Sequence, residues 1–149
     1  MPFIILILSA VLSASGHAQT PTDPEAWYRD NYAPLWADSP GKNVDAILAY
    51  YASKVRTHEA EGAITVADRD SWLREPMNEW LAEGWLKAEM QKLTIDRLNP
   101  TTAAFKASWL DHYAGGETEV SCGWYLADMI DGRWRFTAYA DIDCAAHDL

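Results

Sequence analysis

The chain has 149 residues, with 22 acidic and 12 basic side chains and a formal net charge of −10. This balance disfavours nucleic acid and anionic membranes as partners, because phosphate contacts need clustered Lys and Arg and the sequence has no basic run. The length suits one domain, and eight Trp and seven Tyr are enough either to fill a thick core or to line a cavity.

The first 18 residues predict a secretory signal peptide. Residues 3–12 form an apolar run of about ten residues, shorter than the roughly 20 that span a bilayer, and Gly16-His17-Ala18 offers small residues for cleavage. No Lys or Arg precedes the run, so a buried N-terminal helix or strand is the alternative. We expect residues 19–149 to form a single domain of a secreted or periplasmic protein, with no membrane contact after cleavage.

The first half of the chain predicts helices. They cover residues 23–37, 43–54 and 68–84, and an extended piece covers 55–59. Asp23-Pro24 supplies an N-cap followed by Pro at the first helical position. Pro34 and Pro76 lie inside helical patterns, where a proline breaks or kinks the helix, so we expect two bent helices.

The second half predicts an antiparallel meander of strands over residues 86–98, 103–112, 118–130 and 133–144. The alternation of apolar residues shifts phase at Lys92-Leu93, which indicates a bulge. Turns are expected at Asn99-Pro100, Gly115-Gly116 and Asp131-Gly132. Helices followed by long antiparallel strands indicate an α+β fold with the helices on one face of a sheet.

Cys122 and Cys144 are the only cysteines. An even number in an exported protein favours a disulfide. A two-residue turn at Asp131-Gly132 would place Cys122 opposite Asp141 and leave Cys144 on the other face, whereas a bulge or a three-residue loop would restore the same face. The spacing is not CxxC, which disfavours a redox-active pair.

Three short motifs, taken in their order and spacing, resemble the nuclear transport factor 2-like superfamily, and within it the SnoaL-like polyketide cyclases and ketosteroid isomerases. They are NVDAI (43–47), RTHEAEG (56–62) and GRWRF (132–136). The resemblance extends from Asp23 to Cys144. It implies a cone: a strongly curved antiparallel sheet with a mixed edge, wrapped by three N-terminal helices around a deep apolar pocket. Expected pocket-lining residues are Trp36, Tyr51, Trp72, Trp80, Trp109 and Trp124. Dimerisation through the open sheet face is common in the group, so a homodimer is one expectation.

The resemblance also supplies candidate catalytic residues. Glu59, three residues before Gly62, matches a carboxylate base, and Tyr32 matches a tyrosine that donates to a developing oxyanion. His58 is an alternative base, and the alternation of an extended segment lets only one of His58 and Glu59 point inward. Trp124 stands where the group has a protonated aspartic acid, which argues against steroid isomerisation itself.

No metal or cofactor is expected. His58, His112 and His147 lack metal-ligand spacing among themselves or with the cysteines, and no nucleotide-binding or nucleophile motif occurs. Two functions stay open. A protein that binds a small apolar molecule without turnover is favoured, because the catalytic set is incomplete. The alternative is a cofactor-independent isomerase, cyclase or lyase that uses Glu59 or His58 with Tyr32.

Overall fold

A computed structural model describes residues 23–58 and 62–149. The predicted signal peptide and Glu59 lie outside these ranges. The α+β class is confirmed, since three helices accompany one open sheet of six strands. Among the described residues, no helix is long and apolar enough to cross a membrane.

Helix α1 joins Pro24–Ala26, the π-helical Trp27–Tyr32 and Ala33–Ala37, α2 spans Val44–Leu48, and α3 joins the π-helical Asp70–Arg74 to Glu75–Ala82. The strands are β1 (Tyr51–His58), β2 (Ile64–Asp68), β3 (Trp85–Asn99), β4 (Thr102–Tyr113), β5 (Thr118–Ile130) and β6 (Arg133–Asp141). Short 3₁₀ turns occupy Pro40–Lys42 and Ala145–His147.

Both long helices change their hydrogen-bonding pattern just before a proline. Asp23 caps α1 by accepting from the backbone N–H groups of Glu25 and Ala26. Pro34 and Pro76 are each the second residue after a π-helical segment. Proline lacks an N–H group and clashes with the carbonyl four residues earlier, and the wider π-helical turn accommodates it without ending the helix.

The strands lie in the order β2-β1-β6-β5-β4-β3, and β1 and β6 are parallel while every other pair is antiparallel. Within residues 23–58 and 62–149, the mixed sheet therefore ends in two free edges and is not closed. The predicted bulge in β3 is confirmed as a register shift between Met90 and Lys92. Asp131 and Gly132 have φ values of 50° and 73°, the positive angles that a tight two-residue hairpin turn needs.

The second helix is much shorter than predicted. It ends at Leu48, and β1 begins at Tyr51, which pairs with Phe136 of β6. Arg69 donates hydrogen bonds to the backbone carbonyls of Leu48 and Tyr51, at the point where the chain changes from helix to strand. The helical spacing of the apolar residues continued as far as Tyr51, and long-range strand pairing overrode it.

Strand β2 was not predicted, and α3 begins two residues later than Asp68. Ile64 and Val66 alternate with Thr65, yet both are about 60% exposed on an edge strand, so no buried face marks them. Asp68 ends β2 and forms an ion pair with Lys54 of β1 at 2.9 Å instead of capping a helix.

One half of the cone is a packed aromatic core. Trp27 and Tyr28 of α1 pack against Phe105 of β4 and Phe136 of β6, with ring centroids 4.8 to 6.0 Å apart. Tyr28, Phe105 and Phe136 are fully buried, as is Trp134. Burial of this apolar area fixes α1 across the concave face of the sheet.

Candidate functional site

A cavity of about 530 Å³ lies between helix α3 and the concave face of the sheet. Its tryptophans are Trp36, Trp72, Trp80, Trp85 and Trp109, and its tyrosines are Tyr51, Tyr113, Tyr125 and Tyr139. The volume lies within the range of ligand-binding pockets, which are concave and mostly apolar with a few polar groups. The size and the lining of the cavity fit a ligand-binding pocket.

Strand alternation produces the floor of the cavity. On β4 the lining residues Trp109, Asp111 and Tyr113 are spaced by two, and on β5 Gly123 and Tyr125 follow the same rule. Successive side chains point to opposite faces of a sheet, so residues two apart share the concave face. Aromatic and acidic side chains consequently alternate within one stripe.

Helix α3 forms the opposite wall. Trp72, Pro76 and Trp80 are spaced by four residues and line the cavity together, as residues at i, i+4 and i+8 do on one side of a helix. Trp72 contacts Tyr51 and Tyr139, with centroid distances of 5.4 and 5.3 Å. Trp80 is 42% exposed and lies at the rim.

The tryptophans also contact one another. Trp85 makes edge-to-face contacts with Trp36 at 6.0 Å and with Trp80 at 6.1 Å, and Trp36 lies 6.2 Å from Trp109. Such pairs add stability beyond area burial and hold the rings in fixed orientations. The indole N–H of Trp36 is buried and has no hydrogen-bond partner within residues 23–58 and 62–149.

Three carboxylates line the same cavity. Asp111 accepts hydrogen bonds from Trp85 Nε1 at 2.8 Å and from Ser121 Oγ at 2.7 Å. Asp141 accepts from the Tyr139 hydroxyl at 2.6 Å, and Glu119 accepts from that of Tyr113 at 3.4 Å. Asp111 is half-buried, whereas Glu119 and Asp141 are exposed, so these bonds orient the three carboxylates between the floor and the mouth of the cavity.

The tyrosines of the wall are held in their neutral form. Burial raises the pKa of Tyr125 to about 12, and burial also raises the pKa values of Tyr51 and Tyr139 well above the usual range. Phenols with such pKa values keep their protons at neutral pH. The negative charge of the wall therefore comes from the carboxylates alone.

Tyr32 does not line the cavity. It is fully buried, and its hydroxyl lies 2.6 Å from that of Tyr51 in a hydrogen bond, while Tyr51 is the member of the pair that reaches the cavity wall. Burial raises the pKa of Tyr32 well above its usual value, and the neighbouring phenols add to the shift. Tyr32 can therefore act on a ligand only through Tyr51.

The structure separates the other sequence-derived candidates. His58 is half-buried and lines the cavity at the end of β1, where it pairs with Ala140. Glu59 lies outside the described residues, so its proposed role as a base stays a prediction. Trp124, in contrast to the expectation from the resemblance, is not among the lining residues. Gly123 and Tyr125 line the cavity, so alternation places Trp124 on the opposite face of β5.

Cys122 and Cys144 form a disulfide with a Cα–Cα distance of 5.4 Å. A register shift in the β5–β6 hairpin, between Leu126 and Ala127, moves Asp141 opposite Gly123. The bulge alternative considered for this pairing is thus the one present. The bond ties the C-terminal segment to the strand that carries the cavity floor.

Gly123 was missed by sequence reasoning. A Cβ atom there would lie 2.9 Å from the Tyr125 hydroxyl oxygen and 2.9 Å from Cε2 of Tyr139. Only glycine allows these two rings to pack against the backbone of β5. The signal was present in the sequence as an isolated glycine inside a strand, which often marks close approach of another group.

No group of three or more His, Cys, Asp or Glu side chains is arranged to hold a metal ion within the described part of the chain. The carboxylates and phenols of the cavity approach one another instead, and His58 lines the same cavity. Asp111, Tyr113, Tyr125, Tyr139 and Asp141 were not singled out as a stripe, because their two-residue spacing runs across three separate strands.

No protein-family model and no curated protein matches the sequence. Solved structures do match. An NTF-2 like protein of unknown function from Shewanella oneidensis MR-1 has a TM-score of 0.64 at 18% identity, over 83% of this chain and 100% of that one. A candidate polyketide cyclase from Xanthomonas campestris pv. campestris has a TM-score of 0.52 at 16% identity, over 80% and 90%. A candidate scytalone dehydratase from Novosphingobium aromaticivorans DSM 12444 has a TM-score of 0.54 at 15% identity, over 76% of each chain.

These similarities establish the fold. The chain has the nuclear transport factor 2-like α+β cone, and the resemblance drawn from its short motifs is confirmed at that level. At such identities the chemistry of a neighbour does not transfer, because one fold hosts many functions.

Proposed function

We propose that this is an exported protein that binds a small, largely apolar molecule in the cavity between α3 and the sheet. The observation that carries the proposal is the wall itself: nine aromatic side chains around about 530 Å³ of space. A wall of this kind gives a ligand a large apolar contact area. The polar groups on the floor would fix the ligand's orientation.

Binding without turnover is preferred because the catalytic set implied by the resemblance is dispersed. Tyr32 is buried behind Tyr51 and does not line the cavity. Trp124, at the position of the protonated aspartic acid, is not part of the wall. An oxyanion donor must lie within about 3 Å of the reacting oxygen, and neither residue meets that condition.

Export is supported by the disulfide as well as by the apolar N-terminal run. The bond between Cys122 and Cys144 uses both cysteines of the chain. Disulfides persist in oxidising compartments such as the periplasm or the extracellular space. Fractionation of cells that express the full chain, with mass spectrometry of the product, tests both cleavage after Ala18 and the compartment.

Ligand binding is tested with a matched pair of tryptophan variants. Trp72 and Trp124 are both half-buried, but only Trp72 lines the cavity. A panel of soluble ring-bearing compounds is first screened by thermal shift, because a ligand at 100 times its Kd stabilises a protein by about 2.7 kcal/mol. Trp72→Ala should then lower the affinity for the best compound by about tenfold or more, whereas Trp124→Ala should leave that affinity within about twofold of the value for the unaltered protein.

The opposite ranking would refute this location for the site. If Trp124→Ala weakens binding and Trp72→Ala does not, the ligand lies on the outer face of the sheet. If no compound of the panel stabilises the protein, the proposal of a binding pocket fails.

A second candidate is an isomerase, cyclase or lyase, favoured by Tyr51 and His58 in the same cavity wall, with the hydroxyl of the buried Tyr32 hydrogen-bonded to that of Tyr51. Tyr51 could donate to a developing oxyanion while His58 or Glu59 moves a proton. Any compound that binds is incubated with the protein and analysed for conversion. Conversion that falls at least about a hundredfold in Tyr51→Phe while binding persists would favour this candidate. Absence of conversion would leave binding as the function.

A further inference from the structure

We propose that the ligand is an organic cation, with an ammonium group carried on an apolar body. The inference rests on the proposed binding function and names the class of ligand. Two features of the cavity wall support it. Its carboxylates form no ion pair with a described basic side chain, and its aromatic rings are numerous enough to surround a cation.

The carboxylates of the cavity are not neutralised by the protein. Asp111, Glu119 and Asp141 form no ion pair within the described residues, whereas ion pairs elsewhere engage other acidic side chains, among them Asp45, Asp68, Asp70 and Glu89. Among the described residues that line the cavity there is no Lys or Arg, and His58 is the one basic side chain. The positive charge that these three carboxylates lack would arrive with the ligand.

Hydrogen bonds satisfy the carboxylates only in part. Asp141 accepts through Oδ1 and Glu119 through Oε2, and the second oxygen of each has no protein partner within residues 23–58 and 62–149. Seating a neutral apolar body against these oxygens would remove their water and leave them unpaired, which is unfavourable. An ammonium group in the same place would replace that water with opposite charge.

The aromatic wall favours the same ligand. A cation within about 6 Å of a ring centroid is attracted by the face of the ring, most strongly by Trp, and cages of aromatic rings recognise quaternary ammonium groups. Trp85 donates to the Asp111 carboxylate and lies 6.0 Å from Trp36, which in turn lies 6.2 Å from Trp109. An anionic ligand would meet repulsion from the same groups.

The test compares three ligands of one shape. They are 4-(hydroxymethyl)benzyltrimethylammonium, its neutral carbon isostere 4-neopentylbenzyl alcohol, and the anion 4-neopentylbenzoate. Affinities are measured by calorimetry and tryptophan fluorescence at about 0.15 M ionic strength, where charges farther than about 8 Å are screened. We expect the cation to bind at least about tenfold more tightly than the neutral isostere, and the anion to bind most weakly.

Matched variants locate the source of the preference. Glu119→Gln and Asp141→Asn should each reduce the ratio of cation to neutral affinity by about threefold or more, while the affinity of the neutral isostere changes little. Asp96→Asn is the control. It removes the same charge from an exposed position of β3, opposite Ala104 and outside the cavity wall, so the ratio should not change.

Each of the other possible results contradicts one part of the proposal. If the neutral isostere binds as tightly as the cation, the cation inference fails and the apolar binding function stands. If Asp96→Asn lowers the ratio as much as Glu119→Gln does, the preference comes from the net charge of the protein and not from the cavity. If none of the three ligands binds, the inference fails, and the Trp72 and Trp124 comparison decides separately whether the pocket binds anything.

Discussion

The two ends of the cone are built from the same kind of side chain and differ in what fills the space between helix and sheet. At the core end, rings from α1 pack directly onto Phe105 and Phe136, and both phenylalanines are fully buried. At the cavity end, Trp72 and Trp80 of α3 face Trp109 across about 530 Å³ of open space.

The difference shows that the number of aromatic residues in a region does not determine whether that region is a packed core or a pocket. At the core end, α1 lies directly on the strands. At the cavity end, α3 is connected through Arg69 to the carbonyls of Leu48 and Tyr51 at the edge of the sheet. Charge marks the distinction more clearly than aromaticity, because Asp111, Glu119 and Asp141 all line the cavity.

The largest expected effect comes from truncating one ring at each end. Phe136→Ala should lower the free energy of unfolding by about 3–5 kcal/mol, because the ring is fully buried and leaves a void that its neighbours cannot fill. Trp80→Ala should cost about 1 kcal/mol, since the indole lies at the cavity rim and is 42% exposed. Urea unfolding followed by circular dichroism measures both.

Equal losses in the two variants would remove the distinction between the ends. A loss above about 3 kcal/mol in Trp80→Ala would mean that α3 contributes to the core as much as α1 does. The difference between the two variants, rather than either value alone, is the quantity to compare, because differences in buried area are better defined than absolute sums.

The second prediction uses alkaline pH to ask which end Tyr125 belongs to. Its phenol contacts the core ring of Phe136 and also lines the cavity. Burial raises the pKa of Tyr125 from the usual 10.0 to about 12. As pH rises, Tyr125 in the unfolded chain loses its proton before Tyr125 in the folded protein does. Its contribution to the free energy of unfolding is therefore fully present below about pH 10 and is lost as pH rises toward 12, by at most about 1.4 kcal/mol per pH unit.

Tyr125→Phe should therefore flatten the decline of unfolding free energy between about pH 10 and 12. The buried phenols of Tyr28, Tyr32 and Tyr51 also have raised pKa values, for the same reason of burial, so part of the decline will remain in the variant. An unchanged slope would show that water in the cavity hydrates the Tyr125 phenolate and that this residue belongs to the open end.

The sequence predicted the sheet better than the helices around it. Strands β3 to β6 alternate over many residues, and their turns and the β3 bulge lie where the pattern places them. The second helix was overextended because Tyr51 continues a helical spacing although long-range pairing with Phe136 makes it a strand. Edge strand β2 was missed because Ile64 and Val66 are exposed and no buried face marks them.

For the site, the sequence indicated that an aromatic pocket exists but not which polar groups face it. Trp36, Tyr51, Trp72, Trp80 and Trp109 were named in advance and lie in the wall. The carboxylate group was not identified, because Asp111 becomes the partner of Glu119 only through the register of β4 and β5, and Asp141 joins them only through the register of β5 and β6. Register depends on bulges, which a single sequence indicates weakly.

The smallest expected effect concerns the shape of the boundary between the two ends. In Gly123→Ala, the new methyl group would lie 2.9 Å from the Tyr125 hydroxyl and from Cε2 of Tyr139, so both rings must move into the cavity. We expect a loss of about 1 kcal/mol in unfolding free energy, at the lower end for overpacking because these are ring edges beside open space. Any ligand of the cavity should also bind more weakly, because the displaced rings reduce its volume.

Gly115→Ala is the matched control, since a Cβ atom there meets nothing within 4 Å. It should change stability by less than about 0.5 kcal/mol and leave binding unaltered. If Gly123→Ala behaves like Gly115→Ala in both measurements, the tyrosines do not rest on the β5 backbone and Gly123 does not shape the cavity. If the free energy of unfolding of Gly123→Ala falls by about 3 kcal/mol or more, the two tyrosine rings cannot move aside, and the packed core extends to Tyr139. The two glycine variants therefore locate the boundary between the packed core and the cavity, because they show whether the rings of Tyr125 and Tyr139 can move to make room for one methyl group.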